Sequence, residues 1–206
     1  MPSSIILRLL GFQLLRVASA QENPGKFQLH LPNGSPLQPP TGMTLKFLAL
    51  GSGTQNYICQ KDPSGKTTSW APHGAEATLY DISKDSSKAD QLVTDLMAGS
   101  KDKRARPNLN SYPVLGKHTF KPEKGKLSPT FQIGSGTLIL QKTQSTPSPL
   151  NSKRNVDWLQ LDAVEGTLAK RVYRTTTRGG KVNAPKCPKV NEITKEPYAA
   201  IYSFWA

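Results

Sequence analysis

Two cysteines in 206 residues, Cys59 and Cys187, allow no more than one internal disulfide. Histidine is nearly as scarce. His30, His73 and His118 form no His-Glu-x-x-His and share no tight His/Cys spacing, so no zinc motif is present and no cofactor is expected. A Ser-His-Asp hydrolase would want a Gly-x-Ser-x-Gly elbow, and Gly51-Ser52-Gly53 and Gly134-Ser135-Gly136 lack that spacing. Beyond the N-terminal region, no segment approaches the ~20 apolar residues of a membrane-spanning helix. Acidic side chains are few, 14 against 27 Lys and Arg, for a formal charge of +13. Neither a DNA-reading motif nor aromatic interleaving accompanies the basic stretches, so nucleic acid is not the expected partner. No repeat recurs at a fixed period.

The charge that is present invites an anionic partner: a phosphoinositide surface, an acidic polysaccharide or another cell-surface polymer. The plainer reading is a solvated basic surface that maintains solubility. Residues 1–20 carry Arg8 among apolar residues and end in Ala18-Ser19-Ala20, the small-residue pattern of a signal-peptidase site. The expectation is therefore a secreted protein with Gln21 as its mature N-terminus. A basic organelle presequence is the competing reading, since Gln13 and Arg16 interrupt the apolar run. In an oxidising compartment Cys59 and Cys187 read as one disulfide closing a long loop, and otherwise as two buried thiols. Asn33-Gly34-Ser35 is then a glycosylation sequon.

Residues 21–44 hold five prolines without a sustained period and read as an extended arm. The remainder, 45–206, reads as a single β domain. Short strand-like runs follow at 45–50, 54–60, 67–70, 76–81, 114–120, 130–133, 137–142, 156–161, 168–177 and 198–205. In the last run Tyr198, Ala200, Tyr202 and Phe204 alternate onto one face. Leu92, Val93, Leu96 and Met97 recur at helical spacing behind a loose capping box at Ser87, which predicts one helix near 89–98. Many short strands and one helix predict an all-β antiparallel sandwich or barrel of about eight to ten strands.

An ordered set of segments carries a resemblance. It runs Gly-Thr-Gln-Asn-Tyr-Ile-Cys (53–59), Glu-Ala-Thr-Leu-Tyr-Asp (76–81), Gly-Lys-His-Thr-Phe (116–120) and Pro-Thr-Phe (129–131). Val-Asp-Trp-Leu-Gln-Leu (156–161), Val-Tyr-Arg-Thr-Thr-Thr-Arg-Gly-Gly (172–180), Cys187 and a Tyr-Ala-Ala-Ile-Tyr-Ser-Phe-Trp ending complete it. Together these resemble a fungal and bacterial family of mostly exported proteins, domain of unknown function 3455 (DUF3455), over about residues 45–205. The resemblance implies a secreted, mainly β domain without established activity, its two cysteine positions paired as in many fungal members. Such members often follow the Leu-Tyr-Asp stretch with Ala-Ser-Cys. Here Ile82-Ser83-Lys84 stands instead, so any third-cysteine chemistry is missing. The basic stretch 101–106 looks peculiar to this chain and takes no role from the family.

Some members carry the label malate dehydrogenase, which these residues do not support. A dinucleotide site needs Gly-x-Gly-x-x-Gly between a strand and a helix. Gly51-Ser52-Gly53 and Gly134-Ser135-Gly136 lack the third glycine, precede strand-like runs, and read as turns.

Candidate chemistry rests on scattered residues. His73 or His118 with Glu76 or Asp81 would make an acid/base pair for a secreted hydrolase. A strand histidine simply hydrogen-bonded in place is the plainer reading. Paired-carboxylate catalysis by Glu76 with Asp81, or Asp157 with Asp162, is disfavoured because residues five apart on one strand face opposite ways. Trp70, Trp158 and Tyr173 with Arg171, Arg174 and Arg178 are the ligand-binding candidates, suited to stacking on sugar rings and pairing with acidic groups. The same rings would serve equally as core. An extracellular or cell-surface binding protein, with an anionic polysaccharide as its candidate ligand, is the expectation, and the secreted hydrolase is the alternative.

Overall fold

The computed structural model of the chain describes residues 27–98, 107–123, 125–184 and 186–206. The expected leader at 1–20, the first residues of the 21–44 arm and the basic stretch 101–106 lie outside them. Eight strands follow in order: β1 (Leu45–Lys61), β2 (Thr68–Asp81), β3 (Val114–Glu123), β4 (Lys126–Ile133), β5 (Gly136–Thr146), β6 (Trp158–Glu165), β7 (Arg171–Gly179) and β8 (Ile193–Trp205). Each pairs antiparallel with the next, and β8 returns to pair with β1. The sheet is therefore a closed barrel, and the sandwich form offered by the sequence is not the one adopted. Closure follows from length. β1 and β8 have 17 and 13 residues and stay in register from Leu45 opposite Trp205 to Ile58 opposite Ile193, with one shift.

Alternation decides what fills the barrel. Tyr198, Ala200, Tyr202 and Phe204 of β8 all point inward, as their spacing predicts, against Leu79, Phe131, Leu138, Leu161 and Val172. The intervening Ala199 and Ile201 point outward with Leu48 and Leu50 of β1, yet they too are buried. A helix, α1 (Ala89–Met97), covers them with Ala89, Leu92 and Val93, close to the predicted 89–98. The β1–β8 seam is thus apolar on both faces, which is why β8 reads as a nearly continuous apolar run.

Four of the short runs fuse in pairs. Segments 45–50 and 54–60 are one strand, β1, so Gly51-Ser52-Gly53 lies within a strand and is not the turn that the sequence suggested. The glycines are there for space. A Cβ on Gly51 would stand 2.5 Å from the Tyr202 ring, and one on Gly53 would stand 1.9 Å from the Glu76 carbonyl oxygen. Segments 67–70 and 76–81 likewise join as β2. Pro72 is tolerated inside it because β3 pairs with β2 only over Ala77–Tyr80, leaving the proline on a one-sided stretch. Gly134-Ser135 does form the β4–β5 turn.

Described residues 27–44 form an extended, docked segment. Leu37 is buried, the Gln38 amide donates to Gln160 Oε1 at 2.9 Å, and the Tyr173 hydroxyl donates to the Gln38 carbonyl. Cys59 and Cys187 are disulfide-bonded across 128 positions, tying β1 to the loop that joins β7 and β8.

Candidate functional site

The two ends of the barrel differ. At the end that holds the start of β1 and the end of β8, rings interlock. Phe47 meets Phe204 edge-on at 5.8 Å, and Phe204 meets Phe131 at 5.2 Å. Leu168 packs so close to Gly136 that an added Cβ would lie 2.7 Å from it. That end is filled. The opposite end, bounded by the β1–β2, β3–β4, β5–β6 and β7–β8 connections, opens into a pocket of about 550 Å³. Apolar groups form much of its wall, among them Phe120, Leu127, Pro129, Leu140 and Leu159.

One charged side chain lies deep in this pocket. Val172 of β7 belongs to the barrel core, so Arg174, two residues on, also points inward, paired across the strands with Leu159 and Tyr202. It is 7% exposed. Its Nε and Nη2 donate to the Asp157 backbone oxygen at 3.1 and 2.9 Å, and Nη1 donates to Gln55 Oε1 at 3.3 Å. Gln55 is fixed in turn, donating from Nε2 to the Gly74 carbonyl at 2.6 Å. Every one of these partners is neutral. Among the described residues no carboxylate lies within ion-pair distance of the guanidinium. The nearby Asp157 carboxylate pairs instead with Lys181, Nζ to Oδ1 at 2.8 Å.

The tyrosines and the histidine that surround the guanidinium inside the barrel are held uncharged. Burial pushes the Tyr57 phenol up to about 12, against the pull of Arg174. Tyr57 donates its hydroxyl to the Gly180 carbonyl at 2.7 Å. Burial also raises Tyr198 and Tyr202, whose hydroxyls bond each other at 2.8 Å, and Arg174 again opposes the shift. His118 is driven down to about 3 by burial, with the Thr130 carbonyl bond opposing and the Arg174 charge assisting. The interior therefore presents one permanent cation amid neutral tyrosine, histidine and amide groups. Lys126 and Lys142 add exposed charge at the rim.

The sequence candidates are distributed over the molecule. His118 lies inside the barrel, stacked on Phe131 at 4.3 Å with Nδ1 at 3.1 Å from the Thr130 oxygen. Its cross-strand partner Ala77 faces inward, so Glu76 faces outward, where it meets Lys195 at 3.2 Å. Asp81 accepts from the Ser83 amide, and His73 is half-buried on β2. These residues are not brought together. Asp157 and Asp162 are also apart in their bonding, the latter paired with Arg171 at 2.6 Å.

Among the ligand candidates, Arg174 alone reaches the barrel interior. Arg178 donates to Thr94 Oγ1 of α1 at 3.1 Å. Trp70 lies beside Tyr57 and Val182 in a small neighbouring recess. Trp158 packs where residues 27–30 approach the start of α1, its Nε1 buried and without a hydrogen-bond partner among the described residues. The exposed Asn33 occupies a turn in the docked segment. Gln55, Phe120, Lys126 and Lys142 were not singled out from the sequence. Alternation from Tyr57 to Gln55 was the signal available for the first, and nothing local distinguishes the others.

Among the described residues, no group of three or more His, Cys, Asp and Glu converges to hold a metal ion, and no helix is long and apolar enough to cross a membrane. No curated protein and no solved structure matches the chain. The family model described as protein of unknown function (DUF3455) matches residues 40–206, which span the whole barrel, and the chain belongs to that family.

Proposed function

We propose that this protein is an extracellular binding protein and that the open end of its barrel receives an anionic group of the ligand. One observation carries the reading: Arg174, a buried guanidinium bonded to neutral acceptors alone among the described residues. Burying an unpaired charge costs several kcal/mol, and a hydrophobic side chain at this inward position would avoid that cost. A barrel of eight strands has an interior wide enough for side chains or one small ligand, and here one half is filled and the other open. The leader-like N-terminus and the Cys59–Cys187 disulfide support export.

Binding is favoured over hydrolysis by the state of His118. A histidine held near 3 and engaged by the Thr130 carbonyl is a poor general base at neutral pH. The +13 balance, with Lys126 and Lys142 at the rim, keeps an acidic polysaccharide as a second reading, in which a chain end enters the same mouth. Titration calorimetry with anilinonaphthalene sulfonate, an amphipathic anion, tests the main reading on the folded protein. One molecule should bind per barrel, and Arg174→Met should weaken it by roughly tenfold or more, the worth of a charge-assisted hydrogen bond. Equal affinity in the two proteins would overturn the reading. Acidic polysaccharide fragments binding more tightly than this probe, and losing affinity in the same variant, would support the second.

A further inference from the structure

We propose that the ligand is a monocarboxylate with a compact apolar body, bound with its carboxylate inward on Arg174; this rests on the binding function proposed above. The headgroup follows from the donors. A guanidinium has five N–H groups, and three are engaged by the Asp157 oxygen and Gln55. Of the remaining two, one on each Nη, the Tyr202 hydroxyl takes no more than one. At least one N–H is left to donate to a carboxylate oxygen, and the guanidinium's single positive charge matches a single carboxylate charge. A phosphate monoester would bring nearly two negative charges and three acceptor oxygens to a site with a single deep cation. Lys181 cannot supply the second charge without releasing Asp157, and Lys126 and Lys142 stand out at the solvent-exposed rim.

The apolar body follows from the wall. Along the β3–β4 hairpin the rungs run from the turn inward as Pro122 with Leu127, Phe120 with Pro129, and His118 with Phe131. Arg174 lies near the last of these levels: it is the cross-strand partner of Tyr202, whose ring centroid is 5.5 Å from that of His118. Leu127, 42% exposed, stands nearest the solvent. A ligand with its carboxylate on Arg174 therefore lays its body against Phe120, Pro129 and Leu159 and leaves by way of Leu127. Burying that body also dries the ion pair and strengthens it. The volume, about 550 Å³, lies within the range of sites for small organic molecules.

The test is titration calorimetry of the wild-type protein with octanoate, octyl phosphate, octanol and acetate, repeated with Arg174→Lys. Octanoate should bind one per barrel, roughly tenfold or more tightly than each of the other three. Arg174→Lys keeps the charge but loses the planar fork, and should weaken octanoate several-fold while leaving octanol unchanged. Octyl phosphate or octanol binding as well as octanoate would overturn the carboxylate assignment. Acetate matching octanoate would overturn the apolar body. If none of the four binds while anilinonaphthalene sulfonate still binds through Arg174, the ligand class falls and the anion site stands. If that probe also fails, both fall.

Discussion

His118 occupies a position where a phenylalanine would pack well, stacked on Phe131 and flanked by Phe120 and Tyr202. It differs from phenylalanine in being able to take up a proton once released to solvent. Its value in the folded barrel is about 3, while an unfolded chain returns it to roughly 6.5. The folded value is the lower one, so the unfolded state binds more protons between these limits. The histidine's contribution is thus intact above about 6.5 and is lost as pH falls toward 3, at about 1.4 kcal/mol per pH unit. The lowered carboxyls of Asp62, Asp85 and Asp162 act in a more acidic window. Their contribution is present above the unfolded carboxylate value and lost as pH falls through the folded one. Urea unfolding between pH 6.5 and 4.5 should therefore show a falling stability in the wild type and a flatter profile in His118→Phe. Parallel profiles would mean that His118 protonates within the barrel.

At the scale of elements, the fold was legible wherever one strand face met one environment. The inward set of β8 follows from plain alternation, and α1 follows from helical spacing at Leu92, Val93 and Leu96. Legibility failed where tertiary contact set the residue choice. Gly51 and Gly53 look like turn residues in sequence, but they make room for the Tyr202 ring and for close approach of β2. The extent of β2 through Pro72 was hidden for a similar reason, since a proline is acceptable only because β3 stops short of it. Sequence pattern offered a barrel and a sandwich alike and could not choose between them, because closure depends on the long β1–β8 register that joins the two ends of the domain. The candidate site was legible at one residue. Arg171, Arg174 and Arg178 are alike as sequence candidates: parity with Val172 separates Arg174 from Arg171, but Arg178 shares that parity and is set apart only by the register shift between Thr175 and Arg178, which no sequence pattern announces.

For the whole molecule, the meander closes through contacts between its first and last strands, and the disulfide reinforces that closure. Cys59 and Cys187 lie 128 positions apart, so in the chain-entropy model the bond restrains the unfolded chain by about 5 kcal/mol. Cys59→Ala/Cys187→Ala should keep the barrel but lower its unfolding free energy by several kcal/mol in urea titrations. A loss below about 1 kcal/mol would mean that the β1–β8 ladder alone sets the stability. Against this closed frame Arg174 stands out as a charge that the fold does not require. Thermal unfolding of wild type and Arg174→Met, each with and without anilinonaphthalene sulfonate, tests that claim most directly. Without the probe the variant should melt at or above the wild-type temperature, since a buried unpaired charge has been removed. With the probe the wild type should gain stability and the variant should gain little or none. A variant that melts well below wild type, yet keeps the full ligand-induced gain, would make Arg174 a structural residue and contradict the anion site.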